Sequence, residues 1–279
     1  MDVTIAVVQF AITAAVPEEN LKKARMFVEE TATQADIIVF PEDFVTGPLS
    51  GNRELADYSG QYREYFQELA RRYSIDIVPG SIIEGDRDGL LYNTAYYIDK
   101  TGTVKGRYRK TNLWLPERTY LTAGDEVRVF DTEYGKVGLI ICWDLIFPEV
   151  FRMMVRQGVD IVICPSYWCY EDAGVGLRYD ANSEVKLVNA LCVARAFENE
   201  VVLVYANAAD SLSVQQDRQE RLIGQSQITV PFKGALQLLN HAREEMFLQK
   251  VETGILKDAE DAYEIRKDLL ERDGFIAHC

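Results

Sequence analysis

Apolar residues in this chain fall in short runs of strand length, separated by stretches where they recur at helical spacing. Val3–Phe10 (VTIAVVQF), Ile37–Phe40 and Ile75–Pro79 are nearly continuous apolar runs, the pattern of strands buried on both faces. Between them, Asn20–Thr33 and Tyr62–Tyr73 carry the helical period, and Pro17-Glu18-Glu19 suits the first turn of a helix. Leu91–Asp99 and Thr103–Tyr108, joined at Lys100-Thr101-Gly102, predict a hairpin. Val137–Ile141 reads as a strand that stops at Cys142-Trp143-Asp144. A helix over Pro148–Gln157, a strand over Val159–Cys164, a helix over Ser183–Glu198 and a strand over Val201–Ala206 follow. Later strands are expected at Ser226–Val230, Ala235–Asn240 and Glu245–Val251, and the charged segment Ala259–Arg272 predicts a closing surface helix.

This alternation predicts an α/β fold, with helices covering buried sheets that the hairpins make mixed. No linker or shift in composition interrupts it, so one domain is expected over residues 1–279, with a C-terminal helix and tail from about 258. Within it, Ala35–Pro41 (ADIIVFP) is echoed by Val159–Pro165 (VDIVICP). Each places Asp before a buried strand and Pro after it. The echo predicts two related halves with stacked sheets and a site gathered at corresponding strand ends.

With 30 basic and 44 acidic residues, the chain carries a formal charge of −14, which argues against nucleic-acid and anionic-membrane partners. It contains no 18-residue apolar stretch, and its acidic start, Met1-Asp2-Val3-Thr4, runs straight into a strand pattern, so a cytoplasmic protein is expected. Cys142, Cys164, Cys169, Cys192 and Cys279 make an odd set without a disulfide framework. Cys164 and Cys169 lack both knuckle spacing and a nearby histidine, and no metal or cofactor is expected. The only histidines are His241 and His278. Hydrolytic mechanisms built on imidazole therefore have little to draw on, and a carboxylate or lysine is the expected base.

Three residues follow predicted strands, two of them buried. Cys142 ends GLIIC, where a strand-to-turn junction can lift a nucleophile towards backbone N–H groups. Glu42 follows IIVFP in an apolar setting that would raise its pKa. Lys110 lies in RYRKTNLW, between a strand and an aromatic loop. Taken singly, each has a plainer reading: a core thiol, a loop acid, a solvated lysine.

Taken together, FPED with Glu42, YRKTNLW with Lys110 and GLIICWDLIFPE with Cys142 resemble the nitrilase, or carbon–nitrogen hydrolase, superfamily. PSYW, the stretch Ala196–Asn207 and GQSQITVPFKGAL extend the resemblance in order over roughly residues 3–250. It implies a four-layer α-β-β-α sandwich of two stacked mixed sheets and a Glu42–Lys110–Cys142 triad. A second glutamate is expected at Glu117, with Glu126 as the distant alternative and an ion pair with Arg118 as the plainer role for Glu117. It implies a hydrolase of non-peptide C–N bonds that uses water and a small amide or N-carbamoyl substrate. Glu42 would take the thiol proton, and Lys110 with the Trp143 backbone N–H would receive the oxyanion of a thioester-forming attack. Phe44, Tyr167 and Trp168 are expected to line the pocket, and at least a homodimer is expected.

The chain departs from the pattern at Asn112, where the family usually has histidine. Trp143-Asp144, in place of the Trp-Glu of true nitrilases, favours an amide or carbamoyl substrate over a nitrile. Leu145-Ile146 offers no arginine to a substrate carboxylate, and for Arg178 and Arg195 an anion contact rests on charge alone. Acyl transfer on the same thioester, nitrile hydrolysis and a non-catalytic binding protein are the competing readings.

Overall fold

The computed structural model describes residues 2–210 and 220–271. The first sheet is ordered β13-β1-β2-β3-β5-β4, with β6 pairing on β5. Its strands are β1 (Asp2–Gln9), β2 (Ile37–Val39), β3 (Asp76–Val78), β4 (Ser81–Gly85), β5 (Leu91–Ile98), β6 (Val104–Arg109) and β13 (Glu245–Glu252). The second is ordered β12-β11-β10-β9-β8-β7, from β7 (Val129–Thr132), β8 (Gly135–Leu139), β9 (Ile161–Ser166), β10 (Val202–Asn207), β11 (Gln227–Val230) and β12 (Gly234–Leu238). Both sheets are mixed. β2 runs parallel between β1 and β3, and β9 runs parallel between β8 and β10. The two echoed segments are thus the central parallel strands of the two sheets.

Side-chain alternation explains the layering. Ile5, Val7, Ile37, Val39 and Val78 pack with Val137, Leu139, Ile161 and Ile163 of the second sheet in one core. The intervening Ala6, Val8, Ile38 and Ile77 turn the other way, against Ala24 and Val28 of α1 (Pro17–Thr31) and Phe66 and Leu69 of α2 (Gln61–Tyr73). On the far side lie α3 (Pro148–Val155) and α4 (Ser183–Glu198), which bury Phe151, Met154, Val188 and Cys192. The expected four-layer sandwich results.

Three elements differ from the sequence reading. β4 and β7 were not expected: β4 is a short run whose Glu84 carboxylate is taken up by Thr94 at 3.0 Å and Tyr96 at 2.6 Å, and β7 is a partly exposed edge strand. The closing helix begins earlier than Ala259 and is two helices, α5 (Gly254–Tyr263) and α6 (Ile265–Glu271), because Glu264 takes a left-handed conformation at φ 52°. The end of the predicted tail, from Arg272, lies outside the described residues. Among the described residues, no helix is long and apolar enough to cross a membrane.

Candidate active site

Each chemical group stands just beyond a strand end. β2 leads through Pro41 to Glu42, β6 to Lys110, β8 to Cys142 and β9 to Tyr167. Glu42 is brought close to the second sheet because its backbone N–H donates to the Ser166 carbonyl at 3.3 Å, and its Oε2 accepts the Tyr167 N–H at 2.9 Å. Its strand end is also packed closely: a Cβ on Gly80, which holds φ +57°, would lie 1.7 Å from the Pro41 carbonyl oxygen. Cys142 opens a short 3₁₀ segment (Cys142–Ile146) at φ 47°, in the left-handed region that a non-glycine residue seldom occupies.

The structure brings Glu42, Lys110, Glu117 and Cys142 together. The Lys110 ammonium, 2 % exposed, donates to Glu42 Oε1 at 2.8 Å and lies 2.7 Å from Glu117 Oε2. Glu117 also accepts the Trp114 N–H at 2.6 Å, which fixes the loop after Lys110 around the ammonium. Arg118 donates to the Leu113 carbonyl at 3.0 Å, and Glu126 pairs with Arg128, so neither alternative for Glu117 is realised. The Cys142 Sγ reaches towards the Tyr167 carbonyl at 3.8 Å.

Burial dominates the electrostatics. It pushes the Glu42 carboxyl above the usual range, opposed by the Lys110 charge. It pushes the Cys142 thiol well up, with the Glu42 charge adding to the effect and Lys110 opposing it. Burial alone would lower the Lys110 pKa, but Glu42 and Glu117 outweigh it and hold the ammonium well above the ordinary lysine range. The resting sulfur is therefore a thiol beside a carboxylate that can take its proton, with a fixed positive charge alongside.

Two residues that sequence reasoning missed organise this cluster. Asn93, fully buried in β5, donates from its side-chain amide to Glu42 at 2.8 Å and Glu117 at 3.2 Å. Its signal was available, since it is a lone amide in the apolar run LLYNTAYYI. Asp144, also fully buried, accepts the Ile141 N–H at 3.0 Å, the Tyr108 hydroxyl at 2.9 Å and both the backbone and side-chain nitrogens of Asn112 at 2.9 Å. It ties the lysine segment to the cysteine turn, and Asn112 is one of its donors.

The four groups face a cavity of about 340 Å³, within the range of small-molecule sites. Tyr167 and Trp168 line it, together with Trp143 and the unanticipated Trp114, Tyr120 and Asp172. Phe44 does not. Its ring stacks on Phe40 at 4.9 Å and meets Phe10 and Phe66 beneath the helices, because the turn at Asp43 (φ 52°) sends it into the first sheet's outer core. Arg195 donates to the Leu145 and Ile146 carbonyls and Arg178 is exposed, so neither faces the cavity. Among the described residues, no cluster of His, Cys, Asp and Glu is arranged to hold a metal ion.

The family model described as carbon-nitrogen hydrolase matches residues 4–245. The chain belongs to the carbon-nitrogen hydrolase family. It is 30% identical to a probable nitrilase of Schizosaccharomyces pombe, over 96% of this chain and 93% of that protein. It is 32% identical to a 2-oxoglutaramate amidase of Bacillus subtilis, over 75% of this chain and 77% of that protein. The fold of this carbon-nitrogen hydrolase matches an amidase from Nesterenkonia sp. AN1 with TM-score 0.78 and 21% identity, covering 95% of this chain and 96% of the other. The amidase structure carries the acetamide moiety of fluoroacetamide added covalently at its active-site cysteine.

Proposed function

We propose that this carbon-nitrogen hydrolase cleaves a small amide or N-carbamoyl compound through a thioester on Cys142. The observation that carries the reading is the buried Lys110 ammonium, shared between Glu42 and Glu117 beside the cysteine turn. Glu42 takes the thiol proton as sulfur attacks the carbonyl carbon, and the oxyanion is met by Lys110 and the Trp143 backbone N–H. As the C–N bond breaks, Glu42 passes that proton to the departing nitrogen. Water, deprotonated by Glu42, then adds to the thioester, and the released sulfur recovers the proton with the acid product. Glu117 holds Lys110 in place. An amide substrate is supported by the amidase named among the relatives, and a nucleophilic cysteine by the adduct at the active-site cysteine of the Nesterenkonia amidase.

The family match over most of the chain supports reading it as one catalytic domain. Association into at least a homodimer is supported by α4, which buries Val188 and Cys192 on one side yet exposes Leu187, Val193 and Phe197. An exposed apolar stripe on a helix already packed on its other side calls for cover. Light scattering that gave a strict monomer would contradict it.

The test of the chemistry is Cys142→Ala. An ammonia-release screen over aliphatic amides, ω-amides, N-carbamoyl amines and nitriles should find turnover in the wild type only. Intact-mass spectrometry should find the acyl adduct on the wild type only. Turnover by a folded Cys142→Ala protein would refute the mechanism.

A further inference from the structure

The cavity's lining predicts what the far end of the substrate carries. Among the described lining residues, Glu42, Asp43, Glu117, Asp172 and Glu220 are acidic, and Lys110 alone is basic. Lys110 is paired with Glu42 and Glu117 beside Cys142, where it is assigned to the oxyanion, so a carboxylate at the far end of the substrate would find no cation to receive it. Of the acids, Glu42 and Glu117 are held by Lys110 and Asn93, and Asp43 takes the Ser81 hydroxyl at 3.4 Å. Asp172 is placed beside the tryptophans: its Oδ2 accepts the N–H of Cys169, next to Trp168, at 2.8 Å, and its Oδ1, like Asp43 Oδ2, has no hydrogen-bond partner among the described residues.

A second, independent feature points the same way. The chain has 3 tryptophans, and Trp114, Trp143 and Trp168 all line this cavity. They form a continuous wall, with ring centroids 4.3 Å apart for Trp114 and Trp143 and 5.6 Å apart for Trp143 and Trp168. Indole faces carry negative potential and attract organic cations. Aromatic faces beside an incompletely used carboxylate are the chemistry that recognises an alkylammonium ion.

We propose that the cavity selects amides or carbamoyl compounds bearing an ammonium group away from the bond to be cleaved, held by Asp172 against the tryptophan wall. Burial pushes the Asp172 carboxyl up to about 7, and an ammonium ion alongside would bring it back down, a gain that neutral or anionic substrates cannot supply. The inference rests on the cavity being the site of amide hydrolysis, and binding can be read separately from turnover.

Because every tryptophan lines the cavity, tryptophan emission of the Cys142→Ala protein reports occupancy. It would be titrated with three compounds of matched chain length: ω-aminopentanamide, hexanamide and adipamate. The ammonium compound should bind about tenfold tighter than hexanamide, the order of one close charge interaction, and adipamate should bind weakest. Asp172→Asn, added to the same protein, should narrow the ratio between the first two. Equal affinities, a preference for adipamate, or no response to any of the three would overturn the proposal. The ammonium preference in binding with no ammonia release by the wild type would instead overturn the hydrolytic reading and leave the recognition intact.

Discussion

Asn93 grips Lys110 from two directions. Its main-chain carbonyl accepts the Lys110 N–H at 2.9 Å, while its side-chain amide donates to both carboxylates that clasp the lysine's ammonium. Since both partners are acceptors, the amide nitrogen must face them, which leaves Oδ1 buried without a partner among the described residues. That donation favours the ionised form of Glu42. Asn93→Ala should therefore move the acid limb of the kcat/KM profile to higher pH, and Asn93→Asp, which adds a further carboxylate, should move it more. An acid limb unmoved in both variants would show that Asn93 only fills space.

The wild-type profile has a sign of its own. Glu42 must be ionised to act, and burial holds its pKa above the ordinary glutamate range. Activity should accordingly fall on acidification at a pH higher than an exposed glutamate would give. Glu42→Gln should lower kcat by about 10²–10⁴, the usual contribution of a positioned base, with little change in KM. Steady-state kinetics across pH checks both outcomes.

Glu117→Gln acts on the opposite limb. Two carboxylates raise the Lys110 pKa against the pull of burial, so removing one charge lets it drop. The alkaline limb should move to lower pH while the protein stays folded. If the limb stays where it is, Lys110 does not need its charge, and the assigned oxyanion partner is wrong.

Asp144 should prove more important to folding than any single donor around it. Asp144→Ala leaves the Ile141 and Asn112 N–H groups and the Tyr108 hydroxyl without their acceptor, at a cost on the order of 3 kcal/mol or more. Asn112→Ala removes one donor from a carboxylate that keeps others, and should cost about 1 kcal/mol. Denaturant titration of both variants would compare them; equal losses would contradict the hub.

A control sits outside the cavity lining. Asp57 accepts the N–H groups of Ser59, Gly60, Gln61 and Tyr62 at the start of α2, so Asp57→Ala should cost about 1–2 kcal/mol in the same titration. Its kcat should match the wild type at temperatures where it stays folded.

The pattern of apolar runs was enough to anticipate the sheets, because a strand buried on both faces has almost no freedom in composition: β1, β2, β8, β9 and β10 lie within a residue or two of their expected bounds. β7 escaped because an edge strand needs little apolar content. At the site, Glu42 and Cys142 were legible as charged or reactive groups following apolar runs, whereas Lys110, after the polar strand VKGRYR, was legible only through the family resemblance. Phe44 misled because sequence neighbours of a turn can leave in opposite directions, and only the backbone at Asp43 decides which. Asp144 was noticed only for its place after Trp143; its role as a tether gave no signal, as a carboxylate hydrogen-bonded by neutral donors looks like any loop acid.

Gly80 has no side chain, and that is its part in the design. Any added carbon there would displace the Pro41 carbonyl and carry the adjoining carboxylate with it. The proton acceptor's whereabouts is thus written partly on another strand, as an emptiness. A variant screen confined to the cavity wall would overlook a position able to silence the protein by crowding alone.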